Sequence, residues 1–438
     1  MNRSPWILCT LLLLAPGPAL EAQTLTPELA LATFDSVWSR VATTHYDPDL
    51  LGVDWEAARD DLRPRAESAE SMGALRGTLR DLLAKLGESH FAILEGVAAD
   101  ALPSDAGGDA DPGLTLRLVD EGVVVSRVRP GSPAHDAGVR PGWLLRQVGE
   151  VQVDELRREI AESLEGRGEL LPLYLPTALH LRLRGVEGSE VEVSFSDAED
   201  APVEVQLLRA EPDGTRVTFG NLGAVRVEVA SEALPLASGG TAGVIRISSW
   251  FPVISAEVAE AVDTHRDTEG LVIDLRGNPG GVGGLVMGIA GHLIDERVDL
   301  GEMRTRDSTL RFAVNPQRVA PDGRRVEPFD GPVAILVDGQ SASTSEIFAG
   351  GLQALGRARI FGEATPGQAL PALIVPLPNG DRLMHAVADF TAPDGSRLEG
   401  RGVLPDEPAP LTRAALLEGR DPALEAALHW IEAHSPRE

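Results

Sequence analysis

A serine stands at residue 343, where an apolar run that reads as a buried strand, Val333 to Val337, passes through a short Gly/Ser turn. An apolar helical run begins at Thr344. A hydroxyl at such a junction sits at a helix N-terminus, where unpaired backbone N–H groups and the helix dipole favour developing negative charge. An acyl-transfer nucleophile needs that setting, together with a base and an oxyanion hole from elsewhere. The same position suits an ordinary helix cap, and Ser341, Ser343 and Ser345 are all eligible for that role.

Two further segments carry groups that could complete such chemistry. Arg276-Gly-Asn-Pro-Gly-Gly281 follows an apolar run of buried-strand length, Leu271 to Leu275. Open α/β sheets place ligands at the carboxyl ends of their strands. The turn lacks the Lys-Ser/Thr pair of a phosphate loop, so it reads either as a structural turn or as a source of amides for an oxyanion. Gly280 or Gly281 would then act with Thr344. Histidine is the side chain whose ordinary pKa suits a base near neutrality, and His90 stands in Glu88-Ser89-His90 just past a helix stop. A solvated loop histidine is the competing reading. His45 and His385 fall in helical and strand patterns, there is no His-Glu-x-x-His, and no metal site is expected. Lys85 is the only lysine, so arginine supplies nearly all the fixed positive charge.

The elements that must position these groups read as three regions after a leader. Residues 1–22 have the form of a secretory signal, with Arg3, an apolar run from Trp6 to Leu14 and small residues to Ala22. That run is too short to span a bilayer, so no integral span is expected after its removal. The one cysteine, Cys9, lies within it, which predicts a mature chain without disulfides, exported to the periplasm or the exterior. Residues 23–96 read as helical: a Thr26-Pro27 cap with Leu31, Phe34, Val37 and Val41 in phase, a helix from Trp55 to Arg65, and a third capped by Ser71 and stopped at Gly87. Ala98 to Pro112 reads as a linker. Residues 105–211 show short strands at Leu114, Val123, Leu144 and Val191, and residues 215–438 alternate strands with helices. Trp250 and Phe251 suit a cleft wall or the core equally. The 438 residues carry a net charge of −28, spread along the chain, which excludes a polyanion as partner.

Two resemblances extend this reading. Arg129-Pro-Gly-Ser-Pro-Ala-His-Asp-Ala-Gly-Val-Arg-Pro-Gly-Trp143 resembles the core of a protease-associated PDZ domain. That implies a peptide-binding loop at Gly113, Leu114, Thr115 and Leu116, where the usual Gly-Leu-Gly-Phe is altered. Asp274-Leu-Arg-Gly-Asn-Pro-Gly-Gly281, Ser341-Ala-Ser-Thr-Ser-Glu346, Phe361-Gly-Glu-Ala-Thr-Pro-Gly367 and Gly402-Val-Leu-Pro-Asp406 occur in that order. Together they resemble the S41 peptidases, which include the C-terminal processing and tricorn-core proteases. The processing branch implies a lysine base after Gly367, but Gln368 stands there and cannot accept a proton near neutrality. The tricorn-like branch implies a catalytic set of Ser343, His90, Ser89 and Glu399, in which His90 deprotonates Ser343 and Ser89 links the imidazole to Glu399.

The resemblance thus implies a multidomain α+β and α/β protein: a helical domain, a PDZ-like β-rich domain and a crotonase-like α/β catalytic domain. The expected function is hydrolysis of peptide bonds in a peptide or unfolded protein, without cofactor. A non-catalytic ligand- or peptide-binding protein on the same fold is the alternative, and a PDZ-based scaffold a third. The oligomeric state is left open.

Overall fold

The computed structural model describes residues 25–94, 108–164, 166–219 and 222–435. The expected signal segment, and residues 98–107 of the expected linker, lie outside these.

Three helices open the described chain, α1 (Pro27–Thr44), α2 (Trp55–Glu67) and α3 (Met72–Ala84). Their caps are the expected ones: Thr26 accepts from the Leu29 amide and Ser71 from the Ala74 amide. Leu75, Leu79 and Leu82, fully buried on one face of α3, meet Phe34 and Val37 of α1 in one apolar core. That core is shared with Leu377 and Leu383 of the C-terminal region, so the helices do not form a closed unit. The strand β1 (Ala92–Leu94) follows at once.

The next region is a six-stranded antiparallel sheet, in which β2 (Leu114–Val119), β3 (Gly122–Val128), β4 (Leu144–Val148), β5 (Glu190–Ser196) and β6 (Pro202–Leu208) follow in that spatial order and the short strand Val151–Gln152 pairs with β4 alone. Two helices that the sequence reading left out, α4 (Val153–Ser163) and α5 (Leu171–Leu183), cover it. Leu175, Leu179 and Leu183 of α5 enter the same core as Leu114 and Leu116 of β2.

The last region holds a six-stranded sheet of β7 (Val229–Pro235), β8 (Thr241–Ile247), β9 (Gly270–Asp274), β10 (Val333–Val337), β11 (Arg359–Gly362) and β14 (Glu407–Pro408). All neighbours from β8 onward are parallel, and β7 closes one edge antiparallel. β9 and β10 are buried at every position, which explains their unbroken apolar runs. Helices α6 (Ile254–Thr264), α7 (Thr344–Ala354), α8 (Arg413–Leu417) and α9 (Pro422–His434) belong to this region. Between β11 and β14 a separate hairpin of β12 (Ala372–Pro376) and β13 (Arg382–Ala386) reaches back to the helices. β1 pairs antiparallel with β13, with Ala92 opposite Met384.

A buried ion pair reinforces that junction. Arg76 of α3 donates through Nε and Nη2 to the Asp381 carboxylate, which is 1% exposed. Removing one partner of a buried pair strands the other charge, at a cost of about 3–5 kcal/mol. Arg76→Met is expected to lower the urea midpoint accordingly, whereas the exposed Arg65→Met, which loses only a surface pair with Asp81, shifts it little. Equal shifts for the two variants would show that the Arg76–Asp381 pair does not hold the helices in place.

Candidate active site

β9 and β10 lie side by side and parallel, with Asp274 opposite Leu336, so the turns that follow them leave the same edge of the sheet. The two turns are bonded directly, the Ala342 amide donating to the Asn278 carbonyl. Two of the three serines are spent on this framework. Ser341 Oγ bonds the Leu275 carbonyl and Asp338, and Ser345 Oγ donates to the Asn278 carbonyl and accepts from Trp250 Nε1. Ser343 is half-buried and lines a cavity of about 380 Å³.

Ser343 is not in the conformation of an ordinary cap. Its φ of 56° and ψ of −116° lie far from the extended region that caps adopt. A non-glycine residue so held costs about 1–3 kcal/mol and persists only where its surroundings impose it. Glu346, fully buried, imposes it. Its carboxylate accepts from the amides of Ser343, Gly367 and Gln368 and from the Thr365 hydroxyl. Burial outweighs these donors and pushes its carboxyl up to about 7. Glu346 was missed as a site residue. Its signal was the position three residues after the serine, where a capping-box carboxylate belongs.

The glycine turn approaches the serine without room to spare. A β-carbon on Gly280, whose φ is +97°, would lie 2.6 Å from Ser343 Cβ and 3.0 Å from the Thr344 nitrogen. The Gly280 amide donates to Asn278 Oδ1, and Asn278 is itself held by the Ile247 carbonyl through Nδ2. Among the described residues the amides of Gly281 and Thr344 have no acceptor, so of the two glycines Gly281 keeps a free donor. Asn278 is a second residue that the sequence reading quoted but gave no role.

The histidine arrives from the other end of the chain through the β1–β13 pairing, which begins two residues beyond it. His90 also has a positive φ, 61°, and lines the same cavity as Ser343. Its Nδ1 lies 2.7 Å from Ser89 Oγ, and Ser89 Oγ donates to Glu399 Oε2 at 2.9 Å. Glu399 also accepts from the amides of Ser89 and Ala369, which fixes both of its oxygens. A Ser89 hydroxyl that donates to Glu399 is left to accept from Nδ1–H, which puts the lone pair on Nε2. Burial pushes the His90 imidazolium down to about 4 and the Glu399 carboxyl upward. Ser89, His90 and Glu399 thus form one connected relay, and His90 faces the cavity occupied by Ser343.

Residues 241–409 match the sequence profile described as "Peptidase family S41", and residues 31–84 match the "Tricorn protease C1 domain". The matched residues 241–409 place that part of the chain in peptidase family S41. It is 25% identical to a carboxyl-terminal-processing protease of Picosynechococcus over 92% of this chain and 89% of that one. Identity to a C-terminal processing peptidase of the chloroplast of Tetradesmus obliquus is 29%, over 89% and 78%. A putative tricorn protease homolog of Streptomyces coelicolor is 26% identical across 92% of this chain but only 32% of its own length. The fold is that of a photosystem II D1 C-terminal processing protease (TM-score 0.58, 24% identity, 91% and 96% covered) and of mature CPAF (TM-score 0.60, 15% identity, 93% and 96% covered).

In this S41 peptidase the lysine of the processing branch has no counterpart at the cavity. Lys85 lies on the helical surface near Asp61, and Gln368 lines the cavity within reach of the Tyr174 hydroxyl. Trp250 and Phe251 are core residues. Gly113 to Leu116 do not join the site: Gly113 precedes the edge strand β2 and Leu114 to Leu116 begin it, beside α5. The Gly113 amide there is taken by Asp111 Oδ1, and His180 Nε2 meets the Leu114 carbonyl. No group of three His, Cys, Asp or Glu able to hold a metal occurs among the described residues.

The lowered pKa of His90 makes stability depend on pH. Between its ordinary value and about 4 the unfolded chain binds a proton that the folded chain excludes, so stability falls with pH in that window. At pH 5 the loss from His90 is about 2 kcal/mol. The drop in urea midpoint from pH 7 to pH 5 is therefore expected to be smaller in His90→Gln than in the natural chain. Identical drops would mean that the imidazole is not held neutral.

Proposed function

We propose that this chain is an exported serine peptidase in which Ser343 is the nucleophile and His90 its base. The observation that carries the reading is the relay from Glu399 through Ser89 to His90, ending at the cavity lined by Ser343. His90 Nε2 takes the hydroxyl proton as Ser343 Oγ attacks a peptide carbonyl, and returns it to the leaving amine. The amides of Gly281 and Thr344 receive the oxyanion. Water, deprotonated by the same imidazole, then cleaves the acyl ester and frees Ser343. Glu399 and Ser89 act by holding the ring and its tautomer. The neutral state of His90 at pH 7 is the state a base requires.

The strained backbone at both Ser343 and His90 supports the same assignment, because strain is retained where function needs it. We further propose that residues 105–211 form a PDZ-like domain and residues 215–438 a crotonase-like catalytic domain. The names of the relatives, which are processing enzymes for protein carboxyl termini, favour a peptide or unfolded-protein substrate presented by its C-terminal part.

A fluorophosphonate probe on the purified mature chain, with a peptide-library digest beside it, tests the proposal. Labelling is expected at Ser343 and lost in both Ser343→Ala and His90→Ala, with hydrolysis reduced by about 10³-fold or more. Ser89→Ala and Glu399→Gln are expected to retain labelling with rates lowered on the order of 10- to 100-fold. A chain that is unlabelled and cleaves no peptide would replace this reading with that of a ligand-binding protein on the same fold.

A further inference from the structure

A second cavity, of about 530 Å³, lies away from Ser343, between the outer face of the β2–β3 hairpin and the carboxyl-terminal part of the chain. Six arginines line it, Arg117, Arg127, Arg140, Arg246, Arg276 and Arg420, with Asp421 as the single lining carboxylate. In a chain of net charge −28 this is a concentration of the minority charge.

The carboxylates behind the wall neutralise only part of it. Asp274 serves both Arg246 and Arg276, Asp421 serves Arg276 again, and Asp338 pairs with Arg117. Arg420 is held by Glu418 and Glu425 at the rim. Arg127 has no hydrogen-bonded or ion-pair partner among the described residues, and Arg140 donates only to the neighbouring Val139 carbonyl. Glu228 and Glu363 act on this cluster only through space. The guanidinium groups of Arg127 and Arg140 are thus left without a carboxylate partner among the described residues, and a guanidinium fork matches a carboxylate in shape. Trp143, Leu411, Leu416 and Leu417 give the lining its apolar part, beside the hydroxyl residues Thr115 and Ser126.

We infer that this cavity binds a carboxylate carried on an apolar chain, and specifically the free C-terminus of a peptide ending in apolar residues. Arg127 and Arg140 grip the carboxylate while Trp143 and the α8 leucines enclose the last side chains. A neighbouring cavity is lined by Gly113, Leu114 and Thr115 with Arg129 and Arg184. Thr115 and Arg127 border both, whereas Arg140 borders only the arginine-rich one. The inference rests on the peptidase reading only for the role of the ligand, as a docking end of substrate, and binding is measured without hydrolysis.

The test uses the mature chain carrying Ser343→Ala and a fluorescein-labelled peptide ending in two leucines, followed by fluorescence anisotropy. The free-carboxylate peptide is expected to bind, with affinity lowered about 10-fold or more by C-terminal amidation, by Arg140→Gln, and further by Arg127→Gln with Arg140→Gln. Unchanged circular dichroism of these variants excludes misfolding. Loss of binding in Arg184→Gln but not in Arg140→Gln would place the peptide in the neighbouring cavity and overturn the inference. So would equal affinity for the amidated peptide. Decanoate that binds with the same Arg140 dependence, where the peptide does not bind, would overturn the peptide as the source of the carboxylate. Because Ser343 is absent, failure here leaves the hydrolytic reading standing, and failure of hydrolysis leaves this one standing.

Discussion

The parallel pairing of β9 with β10 is the contact on which the site depends. It sets two turns of different chemistry against each other, one rich in glycine and one bearing Ser343. The register leaves no slack: a single β-carbon at Gly280 would enter the space of the serine's own β-carbon. Both strands are completely buried, so the hydrophobic effect that stabilises the sheet also fixes the relative height of the two turns. Asp274 and Asp338, at the ends of these strands, then tie down the turns by accepting from their amides and from arginine.

The second half of the site comes from residues more than 250 positions earlier, and a different sheet brings it in. β1 adds to β13, the α3 leucines share a core with that hairpin, and Arg76 pairs with Asp381. Glu399 crosses the junction in the opposite direction and binds both the backbone and the side chain of Ser89. His90 is thus attached to the region of Ser343 by strand pairing, burial and charge at once. This redundancy can offset the strain that His90 and Ser343 each carry in left-handed backbone.

Much of this was legible in the sequence. Thr26, Ser71 and Gly87 marked helix ends through capping chemistry that is local to a few residues. The strands at 271–275 and 333–337 announced themselves as uninterrupted apolar runs. Helix α5 did not, and the reason lies in its letters: Leu-Pro-Leu-Tyr-Leu-Pro-Thr-Ala-Leu-His-Leu-Arg-Leu alternates apolar and other residues as a strand would. Only Leu175, Leu179 and Leu183 among them are buried leucines, at helical spacing, while Leu181 is exposed. The alternation had no core behind it. Glu346 and Asn278 were likewise visible as letters within quoted motifs. Their work is to bond amides of other segments, which no local pattern reveals.

By itself the sequence determined the candidate chemistry: a serine after a buried strand, a glycine turn, a histidine past a helix stop, and one lysine in an unsuitable place. These follow from residue type and from neighbours within a few positions, where propensity and capping act. Which of three serines faces the cavity, which glycine keeps a free amide, and that Glu399 reaches Ser89 were decided only by the tertiary structure. Each of those depends on hydrogen bonds between segments far apart in the chain, and such bonds form only after burial has brought the segments together.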